Sequence, residues 1–144
     1  MNLLDNIKIS RVVGYNTAST TNRKGSIVDM QGYDGVLFIA TFGTMTNASK
    51  ILLKAAQSDT NNTSAMTVSV ATTGEITSDG TDDVQLALDV YRPTARYVEA
   101  QIEIADQNAL IEGCVAIQYK GSKLPITQAT ATLAAKTFAS PADA

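Results

Sequence analysis

The stretch Val36-Leu37-Phe38-Ile39-Ala40-Thr41-Phe42 decides the fold class of this chain. It follows the turn-forming residues Tyr33-Asp34-Gly35 and is apolar on both faces, which is typical of a central strand buried between two layers. The stretch from Tyr97 to Ile104 favours the same architecture because its residues alternate strictly. This alternation predicts a core face of Val98, Ala100, Ile102 and Ile104, and a solvent face of Glu99, Gln101 and Glu103.

Working outward, other short apolar segments are separated by turn signals, as in an all-β domain. Strands are predicted at Ile7 to Val13, Ser26 to Met30, Ile51 to Gln57, Met66 to Val70, Gln85 to Val90 and Leu110 to Tyr119. A helix is the main alternative for Ile51 to Gln57. Exposed loops are predicted at Ser58 to Ala65 and at Thr72 to Asp83. The pattern indicates an antiparallel β-sandwich that is jelly-roll-like.

The side-chain pattern of two late strands makes a sharper prediction. Leu86, Leu88 and Val90 should share one face of their strand. In the last strand, the same alternation predicts that Ile111, Gly113, Val115, Ile117 and Tyr119 share one face, and that Glu112, Cys114 and Gln118 take the other.

The length of 144 residues suits one domain. We expect an N-terminal arm or first strand over residues 1–24, a sandwich core over 25–124 and a C-terminal arm over 125–144. The C-terminal arm is rich in Thr and Ala, and its sizeable apolar residues are Ile126, Leu133 and Phe138. Such a segment gains little by folding alone, so we expect another surface or a neighbouring copy to hold it.

The composition excludes several classes of chemistry. The chain has no His and one Cys, Cys114, so it offers no Ser-His-Asp triad, no Cys-His dyad and no intrachain disulfide. The acidic turn 78–83 lacks the alternating ligands of an EF-hand. The net charge of −3 argues against nucleic acid as a partner, and no apolar run approaches the length of a membrane span. The sequence therefore predicts no metal site, no cofactor, no nucleic-acid partner and no membrane stage, and indicates a protein made in a reducing cytosol.

Two groups of charged residues are candidates for function. Glu99, Glu103 and Glu112 include candidates for the carboxylate pair of a glycosidase, although the alternation explains Glu99 and Glu103 more simply as solvent-facing strand residues. Arg92 and Arg96, which precedes Tyr97, belong to one connection between strands, and Lys120 follows the last strand. These cations are either solvated or, as an arginine pair, clamp a carboxylate of a neighbouring chain.

Three blocks of the sequence resemble a family of small virion proteins of tailed bacteriophages. They are Asp29-Met30-Gln31-Gly32-Tyr33-Asp34-Gly35-Val36, then Leu88-Asp89-Val90-Tyr91-Arg92-Pro93 through Arg96-Tyr97-Val98, then Glu112-Gly113-Cys114-Val115-Ala116-Ile117-Gln118-Tyr119. Together they span the core from residue 29 to about 120, and both termini fall outside them. None of the blocks is a chemical motif.

The resemblance implies a capsid decoration, or cement, protein with a jelly-roll-like sandwich. Such proteins bind the outside of an icosahedral head and bridge capsomers. We therefore expect a non-enzymatic virion protein, made in the host bacterial cytoplasm, whose partners are the major capsid protein and copies of itself in a dimer or trimer. The expected interface residues are Arg92, Arg96, Tyr97, Lys120, Ile126, Leu133 and Phe138. The alternatives are a tail, fibre or head–tail connector subunit, and a carbohydrate-binding sandwich, which the absence of Trp disfavours.

Overall fold

The computed structural model describes residues 2–80, 83–121, 125–128 and 133–137. It confirms the all-β antiparallel sandwich, and the described residues contain no α-helix. The strands are β1 (Ile7–Val13), β2 (Asn16–Ser19), β3 (Arg23–Lys24), β4 (Val28–Asp29), β5 (Gly35–Met45), β6 (Lys50–Ser58), β7 (Val68–Thr72), β8 (Ile76–Thr77), β9 (Gln85–Tyr91), β10 (Tyr97–Ala105) and β11 (Ala109–Tyr119). One 3-10 turn, Thr63–Ala65, lies between β6 and β7.

Two sheets enclose a single apolar core. The first sheet has the order β1-β11-β5-β9, with β2 also paired to β11. The second has the order β3-β10-β6-β7, with β4 also on β10 and β8 also on β6. The largest fully buried apolar side chains come from both sheets: Phe38, Phe42, Ile51, Leu53, Ile102 and Ile111.

Several strand predictions are confirmed. Residues 51–57 form a strand within β6 and not a helix. Leu86, Leu88 and Val90 all face the core on β9, with 3–8% of their surface exposed. The predicted core face of β10 is also buried, at 0–4% exposure. These segments share a strict period of two, which is why the sequence alone identifies their inner faces.

The prediction that residues 36–42 are covered on both faces is wrong in part. Strand β5 is central in its sheet, and Val36, Phe38, Ala40 and Phe42 are buried. The other face, which includes Leu37 and Ile39, is only half-buried. Within the described residues no second layer lies over that face, so its apolar side chains cover one another along neighbouring strands.

The predicted solvent face of β10 is also wrong at two positions. Glu99 is completely buried and Gln101 is 7% exposed, whereas Glu103 is half-exposed. The reason is the connection between β6 and β7, which folds back over the outer face of this sheet. Thr63 and Met66 of that connection form hydrogen bonds to these two side chains.

The faces of β11 are reversed beyond its first residues because the strand contains an irregularity. Its pairing with β5 shifts between Ile111 and Gly113, so the alternation changes face at Glu112. Cys114, Ala116 and Gln118 therefore point into the sandwich, and Val115, Ile117 and Tyr119 lie half-buried on the outer face. An extra residue in a strand cannot be seen in a hydrophobic pattern that is read at a fixed period.

Candidate functional site

Parts of all three sequence blocks that carry the resemblance meet at one end of the sandwich, whereas Glu112 to Cys114 lie toward the other end of β11, beside Ala40 and Thr41 of β5. Gly35 begins β5, Tyr91 ends β9 and Tyr119 ends β11, and these three residues are neighbours across the first sheet. Tyr97 begins β10 in the second sheet at the same end, where Arg96 O accepts from Met30 N at 2.8 Å. We call residues 29–35, 89–98 and 117–120 the three-block end, where Lys120 directly follows the third block.

Hydrogen bonds fix the three blocks to one another. Arg92 N donates to Asp34 O at 2.7 Å, and Asp34 N donates to Tyr119 O at 3.1 Å. The Gln118 side-chain amide donates to Asp29 O at 2.8 Å. Each of these bonds joins segments more than fifty residues apart in sequence, so the surface exists only in the folded chain.

An aromatic cluster packs against Gly35. The Tyr119 hydroxyl donates to Asp89 Oδ1 at 2.6 Å, and the Tyr119 ring is parallel to that of Tyr91, with centroids 6.5 Å apart. A Cβ atom at Gly35 would overlap the Tyr119 ring, so glycine is the residue that lets the ring lie across β5. Burial and the bond to the Asp89 carboxylate raise the pKa of Tyr119 above its ordinary value.

Arg96 forms an ion pair within the chain, with Asp29 of β4. Its guanidinium binds Asp29 in a bidentate manner, at 3.0 Å from Nε to Oδ1 and 2.9 Å from Nη2 to Oδ2. This hydrogen bond holds the pKa of Asp29 below its ordinary value. The cause is strand pairing: β4 lies on β10 with Asp29 opposite Tyr97, so the carboxylate reaches the neighbouring arginine.

Arg92 and Lys120, by contrast, form no salt bridge with any described residue. Both side chains are exposed, and both lie over the Tyr91 ring, at 5.1 Å and 6.0 Å from its centroid. Both residues also have left-handed backbone angles, with φ of 52° and 51°. A non-glycine residue in this region is strained, and Ala48, Asp83 and Asp106 share the conformation in loops elsewhere in the chain.

A shallow cleft of about 500 Å³ lies beside these cations. Met30, Tyr33, Arg92, Pro93 and Arg96 are among its walls. Burial raises the pKa of Tyr33 above its ordinary value. The cleft is open and wide, so it suits a protruding side chain or loop of a partner protein better than an enclosed small molecule.

The other predicted interface residues lie apart from one another. Tyr97 is half-buried beneath Arg96, whose guanidinium carbon is 5.1 Å from the ring centroid. Ile126 is 9% exposed, and its side chain packs near Gly121 within the same chain. Leu133 is half-buried, and Phe138 lies outside the described residues.

The C-terminal segment is fastened beside the outer edge of β1. Ile126 N donates to Asp5 O at 2.9 Å. The Gln128 side chain accepts from Ile9 N at 3.1 Å and donates to Leu4 O at 3.0 Å and Ile7 O at 2.6 Å. These bonds satisfy edge groups of a strand whose other side is paired with β11.

The residues that sequence reasoning missed at this site are Gly35, Asp29, Asp89, Tyr91 and Tyr119. All five belong to the three blocks, whereas the sequence predicts only Arg92, Arg96 and Tyr97 of those blocks as interface residues. The signal that points to the five is their position within the blocks that resemble phage virion proteins. What was lacking was the pairing of β5 with both β9 and β11, which brings the blocks together.

The candidate carboxylates for glycosidase chemistry occupy different environments. Glu99 accepts from Thr63 Oγ1 at 2.7 Å and from Gln101 Nε2 at 2.9 Å, and Gln101 Nε2 also donates to Met66 O at 3.2 Å. Glu103 pairs with Lys54 at 2.5 Å. Glu99 thus fastens the β6–β7 connection onto the sheet and is covered by it.

Within the described ranges, no group of three or more Asp, Glu or Cys residues is arranged to hold a metal ion. No helix in the same ranges combines the length and apolar character that crossing a membrane requires.

Comparisons with known proteins show the fold alone. No protein-family model matches the chain, and the curated proteins contain no match. Its structure is similar to part of dimeric latent PorU from Porphyromonas gingivalis, with a TM-score of 0.52 and 5% identity, over 83% of this chain and 13% of that one. The chain therefore spans about an eighth of the length of that protein.

Two weaker similarities are to a pilus protein of Bacillus endospore appendages and to a protein of infectious bursal disease virus, Gt strain. The first has a TM-score of 0.47 and 15% identity over 85% of this chain and 95% of that one. The second has a TM-score of 0.48 and 10% identity over 80% of this chain and 32% of that one. Scores at this level carry no functional argument, so the comparisons assign this chain to β-sandwich architecture and no further.

Proposed function

We propose that this chain is a non-enzymatic structural protein of a virion, which binds the outer surface of a tailed-phage capsid and stabilises it by bridging capsomers. One observation carries the proposal: parts of the three blocks that resemble phage virion proteins form one surface, the three-block end. The blocks also supply buried core residues, among them Val36, Val90 and Ala116, but most of their exposed residues, including Tyr91 and Arg92, lie on this surface beside Lys120.

The chemistry of this surface suits a carboxylate of a partner protein. Arg92 and Lys120 flank the exposed Tyr91 ring, which is 52% accessible. Arginine and tyrosine are enriched at protein interfaces because they combine apolar contact area with directed hydrogen bonds. The internal pair of Arg96 with Asp29 holds the rim of the cleft in place and leaves Arg92 and Lys120 for the partner.

Capsid stabilisation follows from binding the assembled state alone. A ligand that binds one state shifts the equilibrium toward that state, and the shift grows with the number of occupied sites. Modest interfaces repeated over a shell therefore oppose the internal pressure of a filled head. In this proposal Ile126 anchors the C-terminal arm to its own chain, and Leu133 and Phe138 of the arm add contact area with a neighbouring copy.

The experiment uses heads of the phage that encodes the chain, prepared without this protein, and measures binding of purified protein by co-sedimentation. We expect the wild type to bind heads and not unassembled capsid subunits. The double variant Arg92→Glu/Lys120→Glu should bind at least about tenfold more weakly, because it would place carboxylates against a carboxylate. The matched control is Lys24→Glu, which reverses an exposed cation on the other sheet.

Two results would contradict the proposal. One is that the wild type does not bind heads at all. The other is that the double variant and the Lys24→Glu control bind equally well, since the three-block end would then have no part in the contact. The variants Arg92→Gly and Lys120→Gly add a check on folding, because glycine relieves the left-handed backbone strain at both positions. They should be at least as stable as the wild type and still bind heads more weakly.

A further inference from the structure

The two lateral sides of the sandwich are closed to different extents. On one side, residues 25–26 bridge the sheets: Gly25 N donates to Ala100 O of β10 at 2.7 Å, and Ser26 N donates to Val12 O of β1 at 2.8 Å. On the other side, β9 ends the first sheet and β7 with β8 ends the second. No strand pairing joins β9 to β7 or β8 within residues 2–80 and 83–121, so we call this the open side.

Exposed apolar side chains concentrate on the open side. Val68 is 61% exposed, Val70 is 39% exposed and Ile76 is 41% exposed, all on β7 and β8. On β7 every residue except the half-buried Ala71 is exposed, whereas β9 buries one full face. The free edge of β7 is therefore exposed, whereas β9 is half-covered.

This edge lacks the charged and Pro residues that protect many edge strands, although β7 has only five residues and its pairing with β6 has an irregularity between Ala55 and Ala56. Natural edge strands carry Lys, Pro or inward-pointing charges that discourage pairing with another chain. The sequence of β7 is Val-Ser-Val-Ala-Thr, which contains none of these, and its only strand partner among the described residues is β6. Such an edge is suited to accept an extended segment by main-chain hydrogen bonding.

The chain itself supplies a segment of matching character. Residues 129–135, which follow the anchor, read Ala-Thr-Ala-Thr-Leu-Ala-Ala, without a charge, a glycine or a proline. Residues 133–135 belong to no strand of their own copy, and residues 134–135 are exposed. The arm is fastened at Gln128 beside β1, on the opposite side of the sandwich from β7.

We propose that the uncharged part of the C-terminal arm of one copy, residues 129–135, pairs as an added strand with the free edge of β7 on a second copy. These residues span about 23 Å when extended, whereas β7 needs about 17 Å. Donor and acceptor lie on opposite sides, so the contact is heterologous: each copy gives one arm and receives one. The added strand covers Val68 and Val70. This self-association does not depend on the shell-binding proposal, because it concerns the free protein.

The test is complementation between two defective proteins, measured by sedimentation velocity over a range of concentrations. One protein carries Val68→Lys and Val70→Lys, which block the edge and leave the arm. The other lacks residues 129–144, which removes the arm and keeps the Ile126 and Gln128 anchors. The matched control is Tyr15→Lys, which changes a side chain of the same 61% exposure as Val68, in the short link between β1 and β2.

We expect the full chain and Tyr15→Lys to self-associate, and each defective protein to associate at least about 100-fold more weakly. Mixed in equal amounts, the two defective proteins should form a one-to-one heterodimer, because one supplies the arm and the other the edge.

The single variant Val68→Lys repeats the test if the double variant does not fold. A monomeric full chain, or a mixture that stays monomeric, would overturn the proposal. Undiminished association of the truncated protein would also overturn it and would point to direct pairing of β7 edges.

Discussion

Gly35 is the residue on which the packing of the three-block end depends. The Tyr119 ring lies across it, held by its hydroxyl bond to Asp89 and by the parallel Tyr91 ring. Gly35→Ala would force this ring to move, and we expect a loss of about 1–3 kcal/mol in the free energy of unfolding. Urea denaturation measures the loss. Gly14→Ala is the control, because a Cβ there meets no atom within 4 Å. Equal stability of the two variants would contradict the packing of the Tyr119 ring against Gly35.

Glu99 is a carboxylate that is fully buried and has no cationic partner among the described residues. Glu99→Ala leaves the Thr63 hydroxyl and the Gln101 amide without their acceptor, so we expect a loss of about 2–3 kcal/mol in unfolding free energy. Glu99→Gln keeps an acceptor oxygen in a side chain of the same shape and should differ from wild type by less than about 1 kcal/mol. Glu103→Ala, at a half-exposed position, should cost less than Glu99→Ala. Equal losses of stability for Glu99→Ala and Glu103→Ala would contradict the role of Glu99 in fastening the β6–β7 connection onto the sheet.

Asp29 gives the end of the sandwich a dependence on pH. Arg96 lowers the pKa of Asp29 below its ordinary value of 3.8 in the folded chain. The native state therefore favours the carboxylate, and the resulting stability is present above pH 4 and is lost as pH falls through the folded pKa. Both side chains are nearly half-exposed, so the contribution should be below about 1 kcal/mol.

Thermal unfolding of wild type and Asp29→Asn between pH 7 and pH 2.5 measures this contribution. The difference between the two proteins should be largest at neutral pH and should vanish at the acid end. Arg96→Gln deletes the same pair and should remove the same pH-dependent increment. A difference that stays constant over the whole range would show that the ion pair is not its source.

At the scale of the element, β11 shows how one extra residue changes which side chains of a strand point into the core. The irregularity at Glu112 turns Cys114 into the core, where burial raises the pKa of the thiol to about 12. We expect native Cys114 to react with a thiol reagent at pH 8 at least about 100-fold more slowly than the unfolded chain. Without the irregularity the same side chain would lie on the outer face and would react readily.

The matched control moves the thiol by one residue. In a Cys114→Ala background, Val115→Cys places a thiol on the half-exposed outer face of the same strand. This variant should react much faster than the native protein. Fast labelling of native Cys114, or equally slow labelling of both, would contradict the assignment of faces in β11.

The strands show which parts of the fold the sequence specifies. The inner faces of β9 and β10 follow from a period of two that nothing interrupts. Residues 7–13 form the predicted strand, but its pairing with β11 shifts between Arg11 and Val13, and Val12 and Val13 are both buried. The burial of Glu99 does not follow, because the residues that cover it lie more than thirty positions away in the chain. The Arg96 partner is 67 residues distant for the same reason. A pattern reports local periodicity, whereas these contacts are set by which strands become neighbours.

At the scale of the molecule, the candidate surfaces lie in different places. The three-block end presents Arg92 and Lys120, while β7 presents its free edge on the open side. In our account the first surface binds the shell and the second binds another copy. Loss of one should therefore leave the other intact. A protein with both contacts joins neighbouring positions on a surface, which is the task of a cement protein.

The most direct test of the central claim is to reconstruct virions produced by the genome that encodes this chain, and to locate and count its copies. We predict hundreds of copies on the outside of the head, with the three-block end against capsid subunits. About a dozen copies or fewer at the tail or the connector would contradict capsid decoration, and complete absence from the particle would contradict a virion role.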